Sequence, residues 1–102
     1  MEWEITNKEL IKLYETGKRK KYRLQPAVLK KFFMRIQQIE AAVTIHDLWK
    51  NPSLNFEHLE SKGIYSIRVD KSYRLEIIID WNNEEKTIGK FNIKELSQHY
   101  GN

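Results

Sequence analysis

The sequence contains no cysteine. That excludes disulfide cross-links, thiol catalysis and thiolate metal sites. Proline occurs twice and glycine four times, which is too little for a fibrous or loop-dominated chain. With 102 residues, 40% hydrophobic and 31% charged, the composition is that of one small folded domain, residues 1–102. Long apolar runs are missing too. The longest aliphatic stretch is Ile77-Ile78-Ile79, far short of a membrane span. The start, Met1-Glu2-Trp3-Glu4, is acidic and lacks the apolar centre of a signal peptide. A cytoplasmic protein with no membrane partner is the expectation. Histidine is scarce, and His46 pairs with no His or Glu at metal-ligand spacing; no metal and no cofactor is expected. Neither a Gly-rich phosphate loop nor a Gly-x-Ser-x-Gly elbow occurs.

What the chain does have is one block of positive charge. Lys18, Arg19, Lys20, Lys21, Arg23, Lys30, Lys31 and Arg35 lie in a stretch without a single acid. The other residues carry ten basic and fourteen acidic groups, so the overall net charge of +4 is concentrated in this segment. Such a block attracts polyanions and speeds their encounter. Nucleic acid or an acidic protein partner fits it; a solvated loop and helix face is the plainer reading.

The periodicity changes along the chain. Trp3-Glu4-Ile5 predicts a short strand. Thr6 and Glu9 have the spacing of a capping box ahead of a helix carrying Leu10, Ile11, Leu13 and Tyr14, closed by Gly17. After the basic loop 18–25, Pro26 opens a second helix in which Leu29, Phe32, Phe33, Ile36 and Ile39 form an apolar stripe. Lys30, Lys31 and Arg35 fall off that stripe, toward solvent or a ligand. A helical turn starts at Thr44–Asp47 and ends at Asn51-Pro52-Ser53. Beyond Pro52 the period becomes two. Strands are expected at Phe56–His58, 64–69, 73–81 and 87–93, with Tyr73, Leu75, Ile77, Ile79 and Trp81 facing the helices. The tail 94–102 reads as a short helix or an irregular cover. The class is α+β, with two N-terminal helices packed on one face of a four- to five-stranded, mostly antiparallel sheet.

The hairpin between the strands 64–69 and 73–81 holds the candidate chemistry. If Val69 faces Tyr73, then Arg68 faces Arg74 on the side away from the helices. Like charges directly across an antiparallel pair repel. An anion between them converts that repulsion into attraction, and the guanidinium fork suits phosphate. The alternative is neutralisation by Glu76 or a C-terminal acid. The tail Ser97-Gln98-His99-Tyr100 supplies two further candidates, His99 and Tyr100, since histidine side chains can exchange protons near neutral pH and a tyrosine can do so beside cations. His58, Glu60 and Lys62 form a third group, with two base candidates and a cation, and Glu57 is also close in sequence. Together these side chains could support RNA cleavage without a metal. The 2′-hydroxyl attacks the adjacent phosphorus, cations stabilise the developing charge, and a base and an acid move the protons.

The run Gly63-Ile64-Tyr65-Ser66-Ile67-Arg68-Val69-Asp70-Lys71-Ser72-Tyr73-Arg74-Leu75 resembles the central hairpin of RelE/ParE-superfamily toxins, HigB-like ones in particular. Leu13–Gly17, Leu54–Leu59 and Glu95–Tyr100 are similar to the same group. The resemblance implies a RelE-like fold and a toxin of a type II toxin–antitoxin pair: a ribosome-dependent mRNA endoribonuclease that stops translation. It implies a helix-turn-helix, HigA-like antitoxin as partner, the ribosome and mRNA as targets, and operator DNA as a candidate contact through the antitoxin complex. By position it implies that Arg68 and Arg74 hold the scissile phosphate and that His99 and Tyr100 serve proton transfer or base stacking. His58, Glu60 and Lys62 lie where several members carry further catalytic groups. RelE itself has a lysine-rich strand there, whereas Glu60-Ser61-Lys62 offers one lysine, so the general base stays unassigned. Two other functions share the fold: a non-enzymatic, ParE-like inhibitor of DNA gyrase, and a nucleic-acid- or antitoxin-binding module with a degenerate active site.

Overall fold

The alternation that marks the second half of the chain becomes a five-stranded sheet. The computed structural model describes residues 1–98. In chain order the elements are β1 (Trp3–Ile5), α1 (Lys8–Thr16), α2 (Pro26–Ala41), α3 (His46–Trp49), β2 (Glu57–Leu59), β3 (Ile64–Arg68), β4 (Tyr73–Trp81) and β5 (Gly89–Gln98), with short 3₁₀ turns at Pro52–Leu54 and Glu60–Lys62. The strand order is β1-β5-β4-β3-β2. Three pairings are antiparallel, but β1 runs parallel to β5. The sheet is therefore mixed, and the described residues hold three α-helices rather than two. The parallel pairing follows from the chain path: β1 leaves the sheet through the helices, and β5 returns beside it after a long crossover.

Helix α1 is capped one residue later than the capping box predicts. Asn7, not Thr6, is the N-cap; its Oδ1 accepts from the backbone N–H of Glu9 and Leu10 at 3.0 and 3.2 Å. Thr6 is instead held by the sheet, its N–H donating to the Ile93 carbonyl at 3.0 Å. Gly17 ends the helix at φ 74°, a left-handed conformation that a side chain would strain. Pro26 stands in the first turn of α2 as expected. Asp47 fastens α3 to the preceding loop by accepting from the N–H groups of Val43 and Thr44, bonds that pull its carboxyl below the usual range.

The buried side chains form one cluster. Leu10 and Leu13 of α1 and Phe32, Ile36 and Ile39 of α2 meet Ile67, Leu75, Ile77, Phe91 and Ile93 of the sheet. Ile79 is buried with them, and Tyr73 and Trp81 pack partly buried against the cluster, so the alternation of β4 points to the core as predicted. The largest departure is the tail: residues 94–98 continue β5. The pairing register shifts between Glu76 and Ile77, opposite Glu95 and Ile93. This bulge lets Ile93 and Leu96 both be buried although they are three apart. The extra residue breaks the period of two, which is why the strand could not be traced past Ile93 from the sequence.

Candidate active site on the open face of the sheet

The β3–β4 hairpin is fixed by its turn. Asp70 Oδ1 accepts from the N–H groups of Ser72 and Tyr73, each at 2.8 Å, and Val69 N–H donates to the Tyr73 carbonyl at 2.9 Å. Ile67, Val69 and Leu75 are fully buried. The register then sets Arg68 directly opposite Arg74, on the face turned away from the core.

The two arginines differ. Arg68 is exposed, and its guanidinium has no hydrogen bond or ion pair among the described residues. Arg74 is nearly enclosed, with its side chain 12% exposed. Its Nη1 donates to Ser66 Oγ at 2.6 Å and its Nη2 to Glu57 Oε1 at 3.3 Å. Ser66 is 1% exposed although it lies on the open face, because Arg74 covers it. Asn55, at φ 42°, donates from Nδ2 to the same Glu57 oxygen at 3.0 Å. Among the described residues, neutralisation by an acid is thus realised for Arg74, by Glu57 rather than Glu76, and not for Arg68.

Arg35 does not face solvent or a ligand as its helical position suggested. It is 7% exposed, its Nε donates to the Arg68 carbonyl at 2.8 Å, and its Nη1 donates to Gln38 Oε1 at 2.9 Å. Burial lowers its pKa. The charge ties α2 to the end of β3, just where the hairpin begins.

His58 is not brought to the arginines. The register pairs it with Tyr65, and its ring stacks on that phenol with 4.2 Å between centroids and 7° between planes. Tyr65 in turn stacks on Phe56, a core residue. His58 therefore lies on the opposite face of β2 from Glu57. Glu60 and Lys62 are exposed in the 3₁₀ turn that precedes Gly63. The Tyr65 phenol is raised first by burial and then by the charge of Glu60, so Glu60 sits within electrostatic reach of that ring. His99 and Tyr100 lie outside the described residues. The last described residue, Gln98, stands opposite Tyr73 at the hairpin end of the sheet.

The basic segment divides in the same way. Arg19 pairs with Glu9, and Lys21 with Glu95 at 3.5 Å. Glu95 also accepts from the Tyr22 hydroxyl at 2.5 Å; burial and this carboxylate raise the Tyr22 pKa. Lys18, Lys20, Arg23, Lys30 and Lys31 are exposed and have no carboxylate partner among the described residues. A groove of about 270 Å³ between Lys21–Arg23, Tyr73 and Glu95–Gln98 joins this loop to the edge of the arginine site, where Ser97 lies opposite Arg74.

Ser66 and Asn55 carry no role in the sequence reading, and Glu57 figures there only as a sequence neighbour of His58. A signal existed for Glu57: if Phe56 and His58 share the inner face of a strand, the acid between them must point to the arginine side. Ser66 follows from the same alternation two residues before Arg68.

The β3–β4 hairpin with its opposed arginines lies within the stretch of the chain that matches a class of toxins. The sequence pattern of the HigB-like toxins, RelE-like toxins of the type II toxin–antitoxin system HigB, matches residues 3–92. Toxin HigB-1 of Vibrio cholerae serotype O1 is 40% identical over 84 residues, which cover 79% of this chain and 84% of that toxin. The chain belongs to the HigB-like family of type II toxins. A toxin of that class works with an antitoxin partner. No helix among the described residues is long and apolar enough to cross a membrane.

Proposed function

We propose that residues 1–102 form a single HigB-like toxin domain that arrests translation as a ribosome-dependent mRNA endoribonuclease in the cytoplasm. The observation that carries this reading is the opposition of Arg68 and Arg74 on the open face of the hairpin. Two guanidinium groups there favour a phosphodiester and the extra charge its phosphorus gains in the transition state. The nucleophile is the RNA 2′-hydroxyl, and the arginines supply the charge stabilisation. Lys18, Lys20, Arg23, Lys30 and Lys31 present a cation surface to ribosomal RNA in the active state. In the silenced state, acidic residues of a helix-turn-helix antitoxin take their place or cover the sheet face. His99 and Tyr100, which follow Gln98 in the sequence, remain the proton-transfer candidates.

The test is addition of the purified toxin to ribosomes translating a defined mRNA. Cuts within the codon in the ribosomal A site, absent without ribosomes, are the expected result. Gyrase-dependent DNA damage with intact mRNA would establish the inhibitor function instead. Ribosome binding with no cleavage would establish a binding module.

A further inference from the structure

The general base is the one catalytic role the resemblance leaves open, and the open face of the sheet offers a specific group for it. We propose that Glu57 takes the 2′ proton in the cleavage reaction; this rests on the endoribonuclease reading above. Three observations converge. Glu57 is paired in register with Ser66, so it shares a face with Arg68 and Arg74. Its carboxylate is anchored on both sides through one oxygen: Oε1 accepts from Asn55 Nδ2 at 3.0 Å and from Arg74 Nη2 at 3.3 Å. The other oxygen, Oε2, has no partner among the described residues, and the side chain is 42% exposed. A carboxylate held in place through one oxygen presents the other to substrate.

The neighbours suit the step. Arg74 uses two N–H groups on Ser66 and Glu57 and, with five donors in its guanidinium, has others for phosphate. Arg68 lies beside it and is unpaired among the described residues. A phosphodiester held by this pair lies next to Glu57, because Arg74 touches both. Asn55 holds a left-handed backbone at φ 42° and ψ 50°, one of two non-glycine residues at positive φ among the described residues. Local strain of this kind is common where a side chain must be aimed. Two other charged groups share this face of β4: Glu76, opposite Ser66, has no comparable anchor among the described residues, and Asp80 lies further along the strand and accepts from Asn92 Nδ2 at 3.0 Å. His58 faces the other way.

In the step, the 2′-hydroxyl proton passes to Glu57 Oε2 while the 2′ oxygen bonds to phosphorus. The bond from phosphorus to the 5′ oxygen breaks, and that oxygen takes a proton from solvent or from the His99-Tyr100 tail. The products are a 2′,3′-cyclic phosphate and a 5′-hydroxyl. Glu57 then releases its proton to solvent.

The experiment is single-turnover cleavage of A-site mRNA by wild type and by Glu57→Gln, Glu57→Asp and Glu76→Gln. Glutamine keeps an oxygen for Arg74 and Asn55 but cannot take a proton. Loss of a general base costs on the order of 100-fold or more. Glu57→Gln is expected to lose that much. Its residual rate is expected to climb roughly tenfold per pH unit, as hydroxide replaces the missing base. Wild type is expected to stay flat over the same range, because its base is the carboxylate and not hydroxide. Glu57→Asp, which keeps the carboxylate one methylene shorter, retains the flat profile at a reduced rate. It also keeps the test decisive if the glutamine variant folds poorly in thermal melts. A Glu57→Gln toxin with the wild-type rate and a flat profile would overturn the assignment, as would transfer of these effects to Glu76→Gln. Failure of wild type to cut mRNA at all would overturn the endoribonuclease reading rather than the choice of base.

Discussion

Arg68→Ala is expected to lower single-turnover mRNA cleavage by about 100- to 1000-fold, the usual effect of removing one preorganised donor from a transition-state oxyanion. Its thermal stability should match wild type. The Arg68 side chain is exposed and unpaired among the described residues, and the contact that does hold this position, Arg35 to the Arg68 carbonyl, uses only backbone. Arg68→Lys should recover only part of the loss, because a lysine is a point charge without the planar fork. Arg74→Ala is less informative. It would uncover Ser66 and leave Glu57 without its cation, so activity and local packing would change together. An Arg68→Ala toxin that cleaves at the wild-type rate would show that the phosphate lies elsewhere.

Phe91→Ala should have the largest effect on stability, a loss of about 3–5 kcal/mol in denaturant unfolding. Phe91 is fully buried in β5, which is held between β1 and β4. It lies opposite Trp3 on one side and Ile79 on the other, and its ring stacks with Phe56 at 6.5 Å. These contacts tie both the parallel and the antiparallel part of the sheet to the core, so the cavity left by truncation cannot close without moving strands. A domain of this size has only about 5–15 kcal/mol in total. The variant would therefore lose translation arrest in cells through lack of folded protein, with its arginine face chemically intact. A loss below about 1 kcal/mol would contradict the packing described here.

The parts of the fold legible in the sequence are those written in one period. The span 73–81 alternates without interruption and is β4 to the residue. The spacing from Phe32 to Ile39 gives the buried stripe of α2, and Gly17 and Pro26 mark real helix ends. Where two periods meet, the pattern fails. The bulge at Glu76/Ile77 shifts β5, and the residues after Ile93 lose their alternation while remaining a strand. The parallel β1–β5 pairing joins residues nearly ninety positions apart, for example Trp3 and Phe91, and local pattern carries no information on it.

The candidate site divides along the same line. The opposition of Arg68 and Arg74 follows from a short turn and a buried neighbour, so it could be deduced. The burial of Arg35 depends on where α2 lies against the end of β3, which is tertiary. The exchange of His58 for Glu57 is a matter of strand face. Histidine attracts attention as a proton-transfer group, yet alternation from Phe56 already turns it to the face away from the arginines, where it is exposed and stacks on Tyr65. Charge counting likewise overstates the basic block. Arg19 and Lys21 are matched by the distant Glu9 and Glu95, leaving a smaller surface of Lys18, Lys20, Arg23, Lys30 and Lys31.

Cleavage of an mRNA carrying a single 2′-deoxynucleotide at the cut position, on a ribosome stalled with that codon in its A site, tests the proposed chemistry most directly. If the arginine face acts on a phosphodiester attacked by its own 2′ oxygen, the all-ribose message ends in a 2′,3′-cyclic phosphate and the substituted message survives intact. Scission of the deoxy-substituted message at the same bond would mean that water or another nucleophile does the work, and the account would be wrong.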